Sequence, residues 1–207
     1  MPVHANEDSE KQPDAGPYIY ELTRRALRCV GPILVNDYRT PKWEGIGTCF
    51  LLMEDRHLYL VTAKHVIETA FEHKQVCIAM FEKQLFLHGL YFASDDSRDI
   101  SVTLLPKDWL ASHGVNSVYA PSAADLGPSY VRSKLCILAG YPASKNVLDP
   151  RISLRPPVAV SMMAKHLDES SSQGISGDRS RLHLFYEHAP INGQSPPSLR
   201  GMSGSPY

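Results

Sequence analysis

What most constrains this chain is a series of short apolar runs, each closed by turn-forming residues, with no long helical periodicity between them. Residues 29–35 form such a run, closed by Asn36 and Asp37. Residues 47–53 form another, and the turn at 54–56 leads straight into a third over 57–62. Further runs cover 75–80, 84–92 and 100–105. Many short strands at close spacing argue an all-β sandwich or barrel. The missing helical period argues against a βαβ fold. A second set follows at 134–140, 158–163 and 182–186, with a polar loop at 168–174. Between the sets, residues 109–128 read as a connection, broken by Pro121, Ser122, Gly127 and Pro128. The expectation is two β lobes and a connector, without an internal repeat.

The flanks and the charge narrow the function classes. Residues 1–17 are polar and acidic with little to bury, and are expected to be a disordered lead-in. A short helix is expected over 18–26, where Tyr18, Leu22 and Ala26 recur every four residues. No segment approaches the roughly 20 apolar residues that span a bilayer, and residues 1–8 lack the apolar core of a signal peptide. Lys plus Arg number 21 and Asp plus Glu 22, a net charge of -1, so nothing favours nucleic acid or an anionic membrane as partner. Cys29, Cys49, Cys77 and Cys136 form no CxxC and are expected as buried free thiols. That composition suits a cytoplasmic, reducing compartment. Away from His65, the histidines show neither HExxH nor Cys/His ligand spacing, so no metal or other cofactor is expected.

Three local patterns carry chemistry. Residues 60–66 (Leu-Val-Thr-Ala-Lys-His-Val) run an apolar strand into His65. Residues 98–102 (Arg-Asp-Ile-Ser-Val) place Asp99 at the mouth of a β-branched strand. Residues 200–206 (Arg-Gly-Met-Ser-Gly-Ser-Pro) set Ser203 between glycines. A serine hydroxyl is a poor nucleophile at neutral pH and needs a base to take its proton. Histidine suits that task, and a carboxylate accepting its Nδ1–H holds it in one tautomer. Glycine beside the serine lets the backbone turn tightly, so that the N–H groups of Gly201 and Ser203 converge on a developing oxyanion. Asp95 and Asp96 rival Asp99, but only Asp99 directly precedes the apolar run.

Here the residues resemble a family. Thr62-Ala63-Lys64-His65 is similar to the Thr/Ser-Ala-x-His motif of trypsin-like serine peptidases, particularly their unsecreted, bacterial-type members. Asp99-Ile100-Ser101-Val102 is similar to their Asp-Ile-Ala-Leu, and residues 201–206 to their Gly-x-Ser-Gly-Gly-Pro. Residues 45–50 resemble the glycine-led strand before the histidine, and residues 139–142 a strand end in the second lobe. The resemblance spans about residues 28–207. The order His, Asp, Ser separates this arrangement from the subtilisin and α/β-hydrolase orders.

The resemblance implies a fold of two six-stranded β-barrels, with a triad of His65, Asp99 and Ser203 at the cleft between them. It also implies an oxyanion hole from the backbone N–H groups of Gly201 and Ser203, and a serine endopeptidase acting on a polypeptide substrate. The expected layout is a lead-in at 1–17, the helix and first barrel at 18–110, and the connector with a partial second barrel at 111–207. Met202 stands where zymogen-type members carry an aspartate, and methionine cannot pair with a new N-terminus. Only four residues follow Ser203, so the expectation is a second barrel incomplete at the C-terminus and weak cleavage by the chain as written. The alternative expectation is a catalytically inactive β-barrel module that binds a peptide or protein partner.

Overall fold

The computed structural model describes residues 16–37, 41–115, 118–125, 135–143, 146–148, 157–166 and 184–185. Helix α1 (Gly16–Ala26) is followed by strands β1 (Val30–Asn36), β2 (Trp43–Glu54) and β3 (His57–Ala63), then helix α2 (Lys64–Phe71). Strands β4 (Gln75–Met80), β5 (Lys83–Phe86), β6 (Ala93–Asp95) and β7 (Ile100–Leu104) come next, with helix α3 (Lys107–Ser112) and a 3-10 turn (Ala123–Asp125). The last strands are β8 (Leu135–Gly140), β9 (Val147–Leu148), β10 (Val160–His166) and β11 (Leu184–Phe185). The fold is mostly β and its strand pairs are antiparallel.

The larger sheet runs β5-β4-β1-β2-β3-β7-β6, with β9 added to β2. β1 lies between β2 and β4, and all seven of its residues are buried. Alternation sorts its side chains: Ile33 and Val35 join the main core with Val76, Ile78 and Met80 of β4. Leu34 joins Cys77 and Trp43 on the other face. Pro32 has no N–H to give the ladder, and the register of β1 against β2 shifts next to it, between Ile33 and Leu34. Two hairpins close through two-residue turns with both central φ positive: Asp55 (47°) and Arg56 (65°), then Phe81 (55°) and Glu82 (60°). That geometry follows the right-handed twist of the strands.

The sheet curls around one core. Leu85 and Leu87, at the β5 end, share a buried cluster with Leu105, Leu110 and Val115, which follow β7. Lys83 ties the same two regions, donating from Nζ to the carbonyls of His113 (2.9 Å) and Gly114 (3.0 Å) at the end of α3. A smaller sheet, β11-β10-β8, pairs Val160 with Gly140 through to Lys165 with Leu135.

The later part of the chain is fastened to the first sheet. β9 pairs with the start of β2, Val147 opposite Glu44. Asn146 is fully buried and fully employed: its amide donates to the carbonyls of Pro142 (2.8 Å) and Val158 (3.0 Å), and its Oδ1 accepts from the Val158 N–H (2.8 Å). Its own carbonyl accepts from the Gly45 N–H at 2.8 Å. Tyr141 donates its N–H to Thr48 Oγ1 at 3.0 Å and its hydroxyl to the Val30 carbonyl at 3.4 Å. Burial of the Tyr141 phenol pushes it up to about 12.

Cys29, Cys49 and Cys77 are buried free thiols, each held above the usual thiol range by desolvation. Among the described residues no helix is long and apolar enough to cross a membrane. Of the expected lead-in at 1–17, residues 1–15 lie outside the described residues, as does the loop at 168–174, while Gly16 and Pro17 belong to α1, which starts two residues before the expected helix.

Candidate active site

The end of β3 and the start of β7 are paired neighbours, Ala63 opposite Ile100. The next residue on each side continues the contact: Lys64 donates its N–H to the Asp99 carbonyl at 3.0 Å. At that point the chain leaves β3 and winds into α2, so the residue after Lys64 turns its ring toward the mouth of β7. The His65 Nδ1 lies 2.7 Å from Asp99 Oδ2, and the His65 backbone N–H donates to Asp99 Oδ1 at 3.0 Å. His65 and Asp99, 34 positions apart, are thus joined by two hydrogen bonds, and the Lys64 N–H adds a third to Asp99.

Those bonds also cap α2. Ala63, at the N-cap, offers no side-chain acceptor, which leaves the first helical N–H groups in need of partners. Asp99 supplies two of them, a carbonyl for Lys64 and a carboxylate oxygen for His65. A negative charge at a helix N-terminus is favourable by about 0.3–1 kcal/mol. The cost is conformational: Asp99 has φ of 55°, in the left-handed region that aspartate tolerates better than most residues. Both partners remain accessible, with side chains 55% (His65) and 41% (Asp99) exposed, so a reactant could reach the ring.

The three neighbouring acids are sorted by what they bind. Asp95 turns inward on its own loop, accepting from the N–H and Oγ of Ser97 and the N–H of Arg98. The Ser97 hydroxyl, chiefly, holds its carboxyl below the usual range. Asp96 pairs with Lys64 Nζ at 2.8 Å. Asp99 alone of the three meets His65.

Gly47 sets the depth at which α2 sits. A Cβ placed there would lie 2.3 Å from Val66 Cγ1, so the strand must be bare for the helix to approach. Val66, Ile67 and Ala70 are the buried face of α2.

Ser203 and Gly201 lie outside the described residues. Of the expected triad, the described residues therefore contain the histidine–carboxylate half. They also hold a pair that sequence reasoning missed: His73 Nδ1 is 3.0 Å from Asp37 Oδ1. It clasps the open end of β1 and β4, whose last pairing is Asn36 with Gln75. The sequence held no signal for it, since even the register of β1 with β4, carried one step further, would set Asp37 opposite Lys74. A shallow cavity of about 380 Å³ between Tyr59, Leu90, Tyr91 and Leu104 includes neither His65 nor Asp99. No group of three or more metal-ligating side chains gathers among the described residues.

No family model and no curated protein matches the chain. A solved structure, from work on how aromatic interactions drive the coupled folding and binding of the intrinsically disordered Sesbania mosaic virus VPg protein, is similar at a TM-score of 0.45. The two are 15% identical, over 86% of this chain and 72% of that one. At that level the likeness carries no argument about this chain.

Proposed function

We propose that the chain is a serine endopeptidase of the trypsin-like, two-barrel plan, in which His65, oriented by Asp99, is the base for Ser203. The observation that carries this reading is the 2.7 Å contact between His65 Nδ1 and Asp99 Oδ2, made by the two residues the motifs single out. With Nδ1–H donated to the carboxylate, the ring is fixed in the tautomer whose Nε2 carries the lone pair. The curled first sheet, and a separate antiparallel sheet of β8, β10 and β11, suit a plan of two β lobes.

In the proposed reaction Ser203 Oγ attacks the scissile carbonyl carbon as its proton passes to His65 Nε2. Asp99 stabilises the imidazolium through Nδ1–H, and the N–H groups of Gly201 and Ser203 hold the oxyanion. His65 then gives the proton to the departing amine, leaving the acyl group on Ser203. Water, deprotonated by the same nitrogen, releases the acid and restores the hydroxyl.

A second reading has one observation in its favour. Because Asp99 caps α2, the His65–Asp99 pair has a structural reason to exist without catalysis, as it would in an inactive module that binds a peptide or protein. Labelling by a fluorophosphonate, located by peptide mass spectrometry, separates the two. Adduct on Ser203 that disappears in Ser203→Ala and His65→Ala supports the peptidase. No adduct in the wild type, with the fold intact, favours the binding module.

A further inference from the structure

We propose that Lys64 is a positioning residue for the His65–Asp99 pair, tying the 95–99 loop to α2 through Asp96, a role that rests on reading His65 as the base. The lysine grips the loop at both ends. Its backbone N–H holds the Asp99 carbonyl at 3.0 Å, and its Nζ holds Asp96 Oδ1 at 2.8 Å. One turn along α2, Glu68 Oε1 completes the shell at 3.0 Å. The Lys64 side chain is 26% exposed, against 84% for Asp96 and 60% for Glu68, so the ammonium sits inside a cluster whose carboxylates face water. Asp96 first, then Glu68, hold that ammonium well above the ordinary lysine range.

Exposed ion pairs add little to stability, so the consequence of this one is geometric and electrostatic. Asp95 gathers Ser97 and Arg98 into a compact turn, and Asp96 and Asp99 of that turn both bind Lys64 at the start of α2. The Asp96 contact adds a side-chain tether, beside the backbone bond between Lys64 and Asp99, to the loop that carries the left-handed Asp99. Among the described residues, the charged groups these elements carry are Asp99 at the mouth of β7, Asp95, Asp96 and Arg98 on the loop, and Lys64 and Glu68 on α2; Arg98 is engaged by Asp95 at 3.5 Å. Removing Lys64 leaves Asp96 and Glu68 without their shared cation, which favours the imidazolium over the free base.

The test uses the full chain and two readouts: the rate of fluorophosphonate labelling against pH, and solvent exchange of the His65 Nδ1–H by NMR, assigned by its loss in His65→Gln. Lys64→Met is expected to slow labelling about tenfold, since small misplacements at a reacting centre cost up to about a hundredfold. It should also move the low-pH limb upward and speed Nδ1–H exchange, while Lys64→Arg, which can keep both ion pairs, restores all three. Wild-type labelling and exchange in Lys64→Met would overturn the proposal. Should wild type not label at all, the base reading fails and exchange alone decides the clamp. If Lys64→Met does not fold, Asp96→Asn on the exposed loop must speed exchange in the same way, and unchanged exchange there refutes it.

Discussion

Val66 occupies the space that any side chain on Gly47 would need. A Cβ on the glycine falls 2.3 Å from Val66 Cγ1 and 2.7 Å from Cγ2, and Val66 follows the histidine that meets Asp99. One backbone atom on β2 therefore determines how close α2 comes to the sheet, and with it where the imidazole stands. Gly47→Ala is expected to push α2 outward at a cost of about 1–3 kcal/mol, the usual penalty of overpacking. Urea denaturation gives the energy, and labelling of Ser203 should slow in the folded variant.

The proposed mechanism gives Asp99 a duty beyond its cap on α2, and the two are separable. In Asp99→Asn the amide oxygen can still accept the His65 N–H, and the cap survives. The amide N–H₂ facing Nδ1 then favours the opposite tautomer, with the proton on Nε2. The expected result is near-native stability with cleavage reduced on the order of 10⁴-fold. In Asp99→Ala the carboxylate's share of the cap is lost as well, while the carbonyl that accepts from Lys64 stays, at a cost of about 0.5–2 kcal/mol. Thermal melts paired with peptide-cleavage rates for both variants check the separation.

Asn146 is expected to matter for joining the later chain to the first sheet. Replacing it by alanine strands the Pro142 carbonyl and both polar groups of Val158, which its side chain now satisfies. The bond to Pro142 is buried while the two to the exposed Val158 are part-buried, so Asn146→Ala should lower stability by about 1–3 kcal/mol, the cost of one buried polar group left unpaired, read by chemical denaturation. Asn146→Asp should not rescue it, since a carboxylate cannot donate to the two carbonyls.

Burial predicts the thiol chemistry. Desolvation pushes Cys77 up to about 12 and Cys49 higher still, so neither is thiolate at pH 8. Iodoacetamide should leave both unmodified in the folded chain and alkylate both in denaturant. Peptide mass spectrometry reads this directly, and rapid native alkylation at Cys49 would contradict the packing of β1 against β2.

The strands legible in the sequence were those with a continuous apolar run between turn formers. β4 begins and ends where its run does, and β1, β3 and β7 differ from theirs by a residue at one or both ends. The run at 84–92 misled. It breaks after Phe86, turns at Gly89 with φ of 83°, and re-enters the sheet at Ala93–Asp95, where no apolar alternation marks a strand. Helix α2 was missed for a clearer reason: its cap is Asp99, far along the chain, and nothing local to Ala63 announces a helix. β9 has two residues and exists because Asn146 delivers it to β2. At the site, motif order picked out His65, and the apolar run after Asp99 set it apart from Asp95 and Asp96, but what each of the three acids binds had no local signal. Their partners are fixed by the pairing of β3 with β7 and by the turn that Asp95 makes with Ser97.

The most direct measurement follows two quantities across pH in one sample: the rate at which a fluorophosphonate attaches to Ser203, and the titration of His65 by NMR. If His65 is the base, the rate climbs as the imidazole loses its proton, with a shared midpoint, and both disappear in His65→Gln. Attachment that ignores the state of His65, or that falls on a residue other than Ser203, would contradict the mechanism.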